Sequence, residues 1–328
     1  MIYIVIVNYR TADLVMQCLD SIFAQKKTFN TFKVIIIDNF SEDSSDIKLQ
    51  NFVKSRDWVS WVDIISMPKN GGFAYGCNAG IRQAFTQTDA AKYIMLLNPD
   101  TLVREGAIEA LATFLDVNPE VGIVGSQLEN LDGGIVSSAH QFHSPISELL
   151  ESARLGVLTR LLPKYEITTD TLHLAHQCDW VSGSSMMIRR QLFDDIGLLD
   201  EAYFLYFEEV DFFYRTAKVG WQTWYVPTSK VMHIEGAATG IKLIRRRPKY
   251  WYNSRRRYFV KHYGVNGLVF ADLLWFVGRL SFLIRRFLKL GAQKTYQDPK
   301  WLMLDLLYGD FLAILTGRVW RLEKEKTK

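Results

Sequence analysis

Residues 2–7, IYIVIV, form an unbroken apolar and β-branched run, and runs of the same kind return at 34–38 (VIIID), 61–65 (WVDII) and 93–98 (YIMLLN). A strand with one face in water alternates polar and apolar residues, whereas one that is apolar throughout must be covered on both faces. The intervening segments carry helical spacing. Thr11 stands where it can cap a helix that gathers Leu14, Cys18, Leu19 and Ile22 on one face, and helical patterns cover 74–86 and 105–116. Strand and helix in alternation predict an open α/β sheet with short connections.

A chain of 328 residues, 48% hydrophobic and 13% aromatic, has enough apolar mass for a full core in one large domain or two. Cys18, Cys77 and Cys178 are odd in number and far apart, which argues against a disulfide framework and a thiolate zinc site and suits a reducing, cytoplasmic setting. The opening MIYIVIVNYR has no basic residues before its short apolar run, so it reads as a first strand and not as a signal peptide. Charge is divided unevenly. From Lys242 onward there are 20 Lys and Arg against 6 Asp and Glu, while residues 1–241 hold 19 against 29. An acidic body carries a basic tail.

In open α/β sheets, ligands bind beyond the carboxyl ends of the strands. Asn8 closes the first run, Asp38-Asn39 the second and Asn98-Pro99-Asp100 the fourth. Each alone commonly marks a turn or a helix cap; together they mark a candidate site. Asp38 has its own chemistry: a carboxylate accepts well from the imide N–H of uracil or thymine, against the plainer reading of an Asx-turn with Ser41 or Asp43. Between the second and fourth runs lies NGGFAYGCNAGIRQAF, whose Gly71, Gly72, Gly76 and Gly80 suit either phosphate approach to a helix N-terminus or close helix packing. Its spacing is not the dinucleotide fingerprint G-x-G-x-x-G.

Six segments, IVIVNYRTADLVMQCLDSI, VIIIDNFSEDSS, NGGFAYGCNAGI, LLNPDTLV, WVSGSSMMIRRQLFDDIGLLDEAYFLYFEEVDFFYRTAKVGW and VMHIEGAAT, occur in an order that resembles the inverting family 2 glycosyltransferases, in particular their rhamnosyltransferase-like branch. The resemblance covers about residues 1–240. It implies a GT-A, Rossmann-like catalytic domain over 1–240, with a nucleotide-binding half (1–125) and an acceptor-binding half (126–240). A basic, helical, membrane-associating extension follows at 241–328.

By that resemblance Asn98-Pro99-Asp100 stands where the family has D-x-D. Asp100 would hold Mg²⁺ or Mn²⁺ against the donor diphosphate, with His233 as a second ligand because only one carboxylate is kept. Asn8 and Tyr9 would line the base pocket beside Asp38. Asn39, Asn70, Gly72, Phe73, Asn78, Asn98, Trp180, Gly183 and Arg215 complete the expected nucleotide and donor set. Inverting displacement requires a carboxylate to take the acceptor proton, and YFEEVDFFYR offers Glu209, then Asp211, then Glu208, among aromatics able to raise a pKa. The family pattern resembles Glu-Asp-x-Asp, so Glu209 replaces the usual aspartate. A helix N-terminus that simply favours acids is the plainer account.

IRRRPKYWYNSRRRYFVKHYG (244–264) mixes arginines with aromatic residues, as nucleic-acid and anionic-membrane binders both do. The apolar stretch after it, interrupted by Asp272, Arg279 and Arg286 at seven-residue spacing, favours a helix in the membrane interface with its arginines toward headgroups, and disfavours nucleic acid. WLMLDLLYGDFLAILTGRVW is expected to do likewise. Packing on the catalytic domain or pairing into a homo-oligomer is the alternative. The expected partners are therefore a dTDP- or UDP-sugar, a lipid-linked saccharide acceptor and the inner face of the cell membrane. A non-catalytic sugar-nucleotide-binding scaffold and a nicotinamide-dependent oxidoreductase are the rival readings.

Overall fold

The computed structural model describes residues 1–26, 28–168, 173–234, 236, 246–290 and 298–325. They fall into two compact units. One comprises Met1–His140, Asp170–Phe204 and Glu208–Gly240, and the other Gln141–Thr169, Leu205–Phe207 and Ile241–Lys328. Two segments that the sequence reading put in the catalytic domain, Gln141–Thr169 and Leu205–Phe207, thus group with the C-terminal helices.

The first unit contains, in chain order, β1 (Ile2–Asn8), α1 (Ala12–Gln25), β2 (Phe32–Asp38), α2 (Ser45–Ser55), β3 (Val62–Ser66), α3 (Phe73–Thr86), β4 (Tyr93–Leu97), β5 (Thr101–Val103), α4 (Ala107–Val117), β6 (Val121–Glu129), β7 (Ile135–Val136) and β8 (Ala139–His140). After the second unit's α5 (Pro145–Ala153) and α6 (Gly156–Leu161) it resumes with β9 (His176–Cys178), β10 (Trp180–Val181), β11 (Ser185–Arg189), α7 (Arg190–Ile196), α8 (Glu208–Lys218) and β12 (Gln222–His233). The main sheet runs β3-β2-β1-β4-β11-β6-β12-β5, with β7 on β6 and β9 on β12.

Strands β3, β2, β1 and β4 are mutually parallel, as the continuous apolar runs require. All seven residues of β1 are buried, and α1 turns Val15, Cys18, Leu19 and Ile22 inward. The open sheet is mixed: β11 lies antiparallel between β4 and β6, β5 and β9 pair antiparallel with β12, and β7 with β6. Thr11 does occupy the N-cap position of α1, but it makes no capping bond; its hydroxyl donates to Asn8 Oδ1 at 2.9 Å.

The glycines of α3 are explained by packing. A Cβ on Gly76 would lie 2.7 Å from Val7 Cγ1, and one on Gly80 2.4 Å from Val5 Cγ1, so the helix rests directly on β1. Gly72, at φ +91°, would press a Cβ to 2.1 Å from the Phe204 carbonyl oxygen.

In the second unit α9 (Lys249–Phe287), α10 (Leu302–Leu315) and α11 (Arg318–Glu325) join α5 and α6. α9 is two helices in succession, broken at Gly264, whose φ is +74°. Tyr258 and Tyr263 both donate to the His143 carbonyl, at 3.0 and 2.8 Å, tying the segment before α5 to α9. By length and composition α9 could cross a membrane, having an 18-residue window of mean hydropathy 1.8 that is 33% buried.

Gly80→Ala tests the α3 contact. The alanine brings about 1 kcal/mol of helix propensity, but overpacking against Val5 costs roughly 1–3 kcal/mol. Urea unfolding should therefore show a net loss of stability; a gain would mean that α3 stands off β1.

Candidate active site

Parallel pairing brings the carboxyl ends of β1, β2 and β3 level, with Asn8 opposite Asp38 and Asp38 opposite Ser66. Asp38 is 4% exposed and already well served. Its Oδ1 accepts from Asn8 Nδ2 at 2.6 Å and Ser41 Oγ at 2.5 Å, and its Oδ2 accepts from Ser41 N at 3.1 Å. The local contact with Ser41 is therefore present, though through the N–H three residues on and not the two of an Asx-turn. A carboxylate oxygen has two acceptor sites, so these contacts leave Oδ2 with room for one more donor. Asn8 serves as the brace, its Oδ1 accepting from Thr11 N at 3.2 Å. Beside it Tyr9 is exposed, with the Arg10 guanidinium 5.1 Å from its ring centre.

Asn39 Nδ2 donates to Asn70 Oδ1 and to the Gly72 carbonyl, at 3.1 and 3.0 Å, while its buried Oδ1 has no hydrogen-bond partner. The loop before α3 is largely committed to itself. Gly72 N donates to Asn70 Oδ1 and Phe73 N to the Phe204 carbonyl, so neither N–H points free toward a phosphate. Asn78 does not join the site. Its amide donates to Leu199 O and Glu201 Oε1 and its Oδ1 accepts from Leu199 N, which pins α3 to the loop over 199–201.

Asp100 lies just past β4 and is 3% exposed. Pairing of β5 with β12 sets His233 opposite Thr101, which brings His233 Nε2 to 3.3 Å from Asp100 Oδ1. One carboxylate and one imidazole supply two ligands for a divalent cation. Among the described residues no group of three His, Cys, Asp or Glu side chains gathers to hold one. This donor set fits a cation shared with a substrate diphosphate, since Mg²⁺ in phosphate-binding sites takes few protein ligands. It does not make a cage by itself.

The antiparallel β11 carries the next part. Ser185 pairs with Leu97, and the Ser184 carbonyl accepts from Asn98 N at 2.9 Å, so the turn over 182–184 abuts Asn98. A Cβ on Gly183 would stand 3.6 Å from Glu209 Cβ. Asp100, Asn98, Gly183 and Glu209 thus form one contiguous edge. Trp180 stacks on His140 at 4.2 Å, closing the β8–β10 pair. Sequence reasoning missed the hydroxyls that hold this turn: Ser182 to Ser184 at 2.9 Å, and Ser126 to Ser185 and Ser229, both at 2.8 Å. The density of serines in VSGSS was the available signal.

The three acids of α8 separate. Glu208 is 3% exposed and Glu209 half-buried, and one oxygen of each, Oε2, is buried without a hydrogen-bond partner. Burial, and then the charge of Glu209, raises the Glu208 pKa well above the ordinary carboxyl value; burial also raises that of Glu209. Two such neighbours titrate as a pair. Asp211 stands apart. It accepts from Arg215 Nε at 3.0 Å and Tyr203 OH at 3.4 Å. The expected donor-binding role of Arg215 is displaced by structural work, because its remaining nitrogens donate to the Ile196 and Leu198 carbonyls at 2.6 and 2.8 Å. Just ahead of α8, Tyr206 and Phe207 hold φ of +69° and +68°. Bulky residues rarely adopt this conformation, and such strain concentrates at functional sites.

Residues 3–197 match the model of glycosyl transferase family 2. The chain belongs to this family. A Mycobacterium tuberculosis N-acetylglucosaminyl-diphospho-decaprenol L-rhamnosyltransferase is 33% identical over 153 residues, 45% of this chain and 48% of that one. The match thus spans about half the length of that relative. The rhamnosyltransferase WbbL of Escherichia coli K12 is 26% identical over 242 residues, 71% and 83% of the two chains. GalNAc-T7, solved with UDP, GalNAc and Mn²⁺, superposes with a TM-score of 0.58 at 15% identity, over 96% of this chain and 57% of that one. The fold is GT-A.

Glu208 and Glu209 give the family 2 site a pH signature. A carboxyl raised on folding binds its proton more tightly in the native state, so its burial costs stability as pH rises from the unfolded carboxyl pKa through the folded one. Glu208→Gln should leave the melting temperature unchanged at pH 4 and raise it above wild type at pH 8. Equal melting temperatures at both values would place Glu208 in water.

Proposed function

We propose that this family 2 protein is an inverting glycosyltransferase in cell-surface glycan synthesis. It takes a sugar, deoxythymidine diphosphate rhamnose being the preferred donor, from a pyrimidine nucleoside diphosphate and transfers it to a lipid-linked saccharide at the inner face of the cell membrane. The observation that carries the reading is the contiguous edge from Asp100 through Asn98 and Gly183 to Glu209. Donor identity draws on the rhamnosyltransferase names of the mycobacterial and E. coli relatives, and the lipid-linked acceptor on the decaprenol of the mycobacterial one.

In this mechanism Asn8 and Ser41 orient the Asp38 carboxylate, whose Oδ2 takes the imide N–H of the base, with Tyr9 and Asn39 alongside. Asp100 and His233 would hold a divalent cation, which neutralises charge growing on the departing diphosphate. Gly183 leaves space beside Glu209 for the acceptor. The Glu209 carboxylate accepts the acceptor hydroxyl proton while the hydroxyl oxygen bonds to the anomeric carbon. The carbon–oxygen bond to phosphate breaks on the opposite face, its electron pair leaving with the nucleoside diphosphate, and the configuration inverts. Glu208 stands beside it, its pKa raised by burial and then by the charge of Glu209.

Calorimetric titration with dTDP, UDP, GDP and ADP, in Mn²⁺ and in chelator, tests the donor site. Metal-dependent binding of dTDP or UDP that Asp100→Ala weakens at least tenfold is the expected result. Pyrimidine-blind or metal-blind binding contradicts it. For the base, Glu209→Gln should lower kcat by roughly 10²- to 10⁴-fold with donor affinity unchanged, and Asp211→Asn should act through stability instead. Wild-type turnover by the Glu209→Gln enzyme would remove Glu209 from the chemistry.

A further inference from the structure

The second unit is built with its polarity reversed. Arg255, 1% exposed, bonds Glu148 and Asp272 at 2.9 Å and Asp310 at 3.1 Å, and Arg256 bonds Asp310 at 2.5 Å. Asp305 is held by Arg246, with contacts of 2.5 and 2.8 Å, and Asp298 by Arg279 and Arg154. All four acidic side chains between residues 249 and 322 are thereby drawn into ion pairs, none of them exposed. Among the residues of these helices and their junctions whose exposure is described, the exposed charges, Lys249, Arg286, Lys289, Lys300, Arg318 and Arg321, are all basic.

Between those cations the outer surface is apolar. On α9, Val269, Leu273, Phe276, Leu280, Leu283 and Phe287 are exposed at alternating spacings of four and three, with Phe270, Val277 and Ile284 beside them. At 1.5 Å per residue this stripe is about 27 Å long. On α10, Trp301, Leu304, Tyr308, Phe311 and Leu315 are likewise exposed. The expectation that the arginines face headgroups is corrected for Arg279, which is 3% exposed and turns inward, as Asp272 does. The reason is that each finds an ion-pair partner within the unit, Arg255 for Asp272 and Asp298 for Arg279.

The geometry points to the outer face of α9 beyond Gly264, together with α10, as the surface that docks on an anionic phospholipid bilayer. It lies in the interface with its apolar side chains among the acyl chains and its arginines and lysines on lipid phosphates. An apolar stripe bounded by cations, with the four aspartates of 249–322 held in ion pairs, is complementary to such a surface. A second copy would instead bring like-charged rims together. This inference rests on the membrane-associated reading proposed above and gives it a surface.

The test uses the full chain without nucleotide. It is floated with vesicles of phosphatidylcholine alone and of phosphatidylcholine with phosphatidylglycerol, following tryptophan emission, since Trp301 and Trp320 are exposed. Binding to the anionic vesicles with a blue shift, weakened by salt, is expected. Val277→Glu with Leu280→Glu should cut it at least tenfold while leaving dTDP or UDP binding unchanged. Should that variant misfold, Arg286→Gln with Lys289→Gln decides: weaker binding supports the docking face and undiminished binding overturns it. The inference is also overturned if wild type ignores anionic vesicles, or if light scattering shows a dimer that the glutamates split. A chain that binds nucleotide but no vesicle refutes this surface and spares the donor site; one that binds vesicles but no nucleotide does the reverse.

Discussion

The reversed strand β11 is the constraint on which the site depends. Its antiparallel entry between β4 and β6 carries the turn over 182–184 to the carboxyl edge, where a parallel strand would have brought its far end. The position is fixed by hydrogen bonds that cannot be exchanged for water. Ser126, Ser185 and Ser229 are all buried, and their hydroxyls satisfy one another. Gly125, whose Cβ would meet Val181 at 2.5 Å, lets the short β10 pass over β6. A buried hydroxyl left alone costs on the order of 1–3 kcal/mol, so the three serines hold β6, β11 and β12 in one arrangement. Gly183 then presents backbone, not side chain, to Glu209.

Two adjacent carboxyls with unpartnered oxygens are an expensive way to begin a helix. Acids do favour helix N-termini, but that benefit is gained equally well in water, where Glu208 is not. Beneath them the buried Cys77 of α3 has its thiol pushed up by burial and then by the charges of Glu208 and Glu209. Strain at Tyr206 and Phe207 adds to the cost. By contrast, Asp211 and Arg215, one turn apart, form a self-sufficient i, i+4 pair closed by two carbonyls. Stability alone explains the second pair and not the first.

What could be read beforehand follows from which signals are local. β1, β2 and β4 are legible because burial on both faces writes itself as an uninterrupted apolar run, and the rule for parallel sheets then locates Asn8, Asp38 and Asp100 at the strand ends. β12 was harder to see: QTWYVPTSKVMH pairs with three other strands and breaks register between Val226 and Lys230, so its pattern is mixed. The roles of Asn78 and Arg215 were illegible for a related reason. Each looks available to a ligand until the loop over 196–201 arrives with carbonyls for it. Whether a polar group is spent or free is a tertiary fact.

The same limit inverted the reading of the C-terminal helices. Asp272, Arg279 and Arg286 recur every seven residues, and a one-sided charged stripe on an apolar helix ordinarily marks the wet face. Two of the three find partners that the spacing does not show, Asp272 in Arg255, 17 residues before it, and Arg279 in Asp298, beyond the end of α9, while Arg286 stays exposed. Burying such pairs brings little net stability, since desolvation offsets most of the attraction. A unit that places ion pairs inside and phenylalanine and leucine outside therefore forgoes, in water, apolar burial worth roughly 1.5–3 kcal/mol per large side chain. That loss disappears when the surrounding medium is itself apolar, and Gly264 frees the second half of α9 to follow a flat surface while the first half stays bound to His143. The internal ion pairs then act as the fastening that keeps the helices together when the hydrophobic effect works on their outer faces instead of between them.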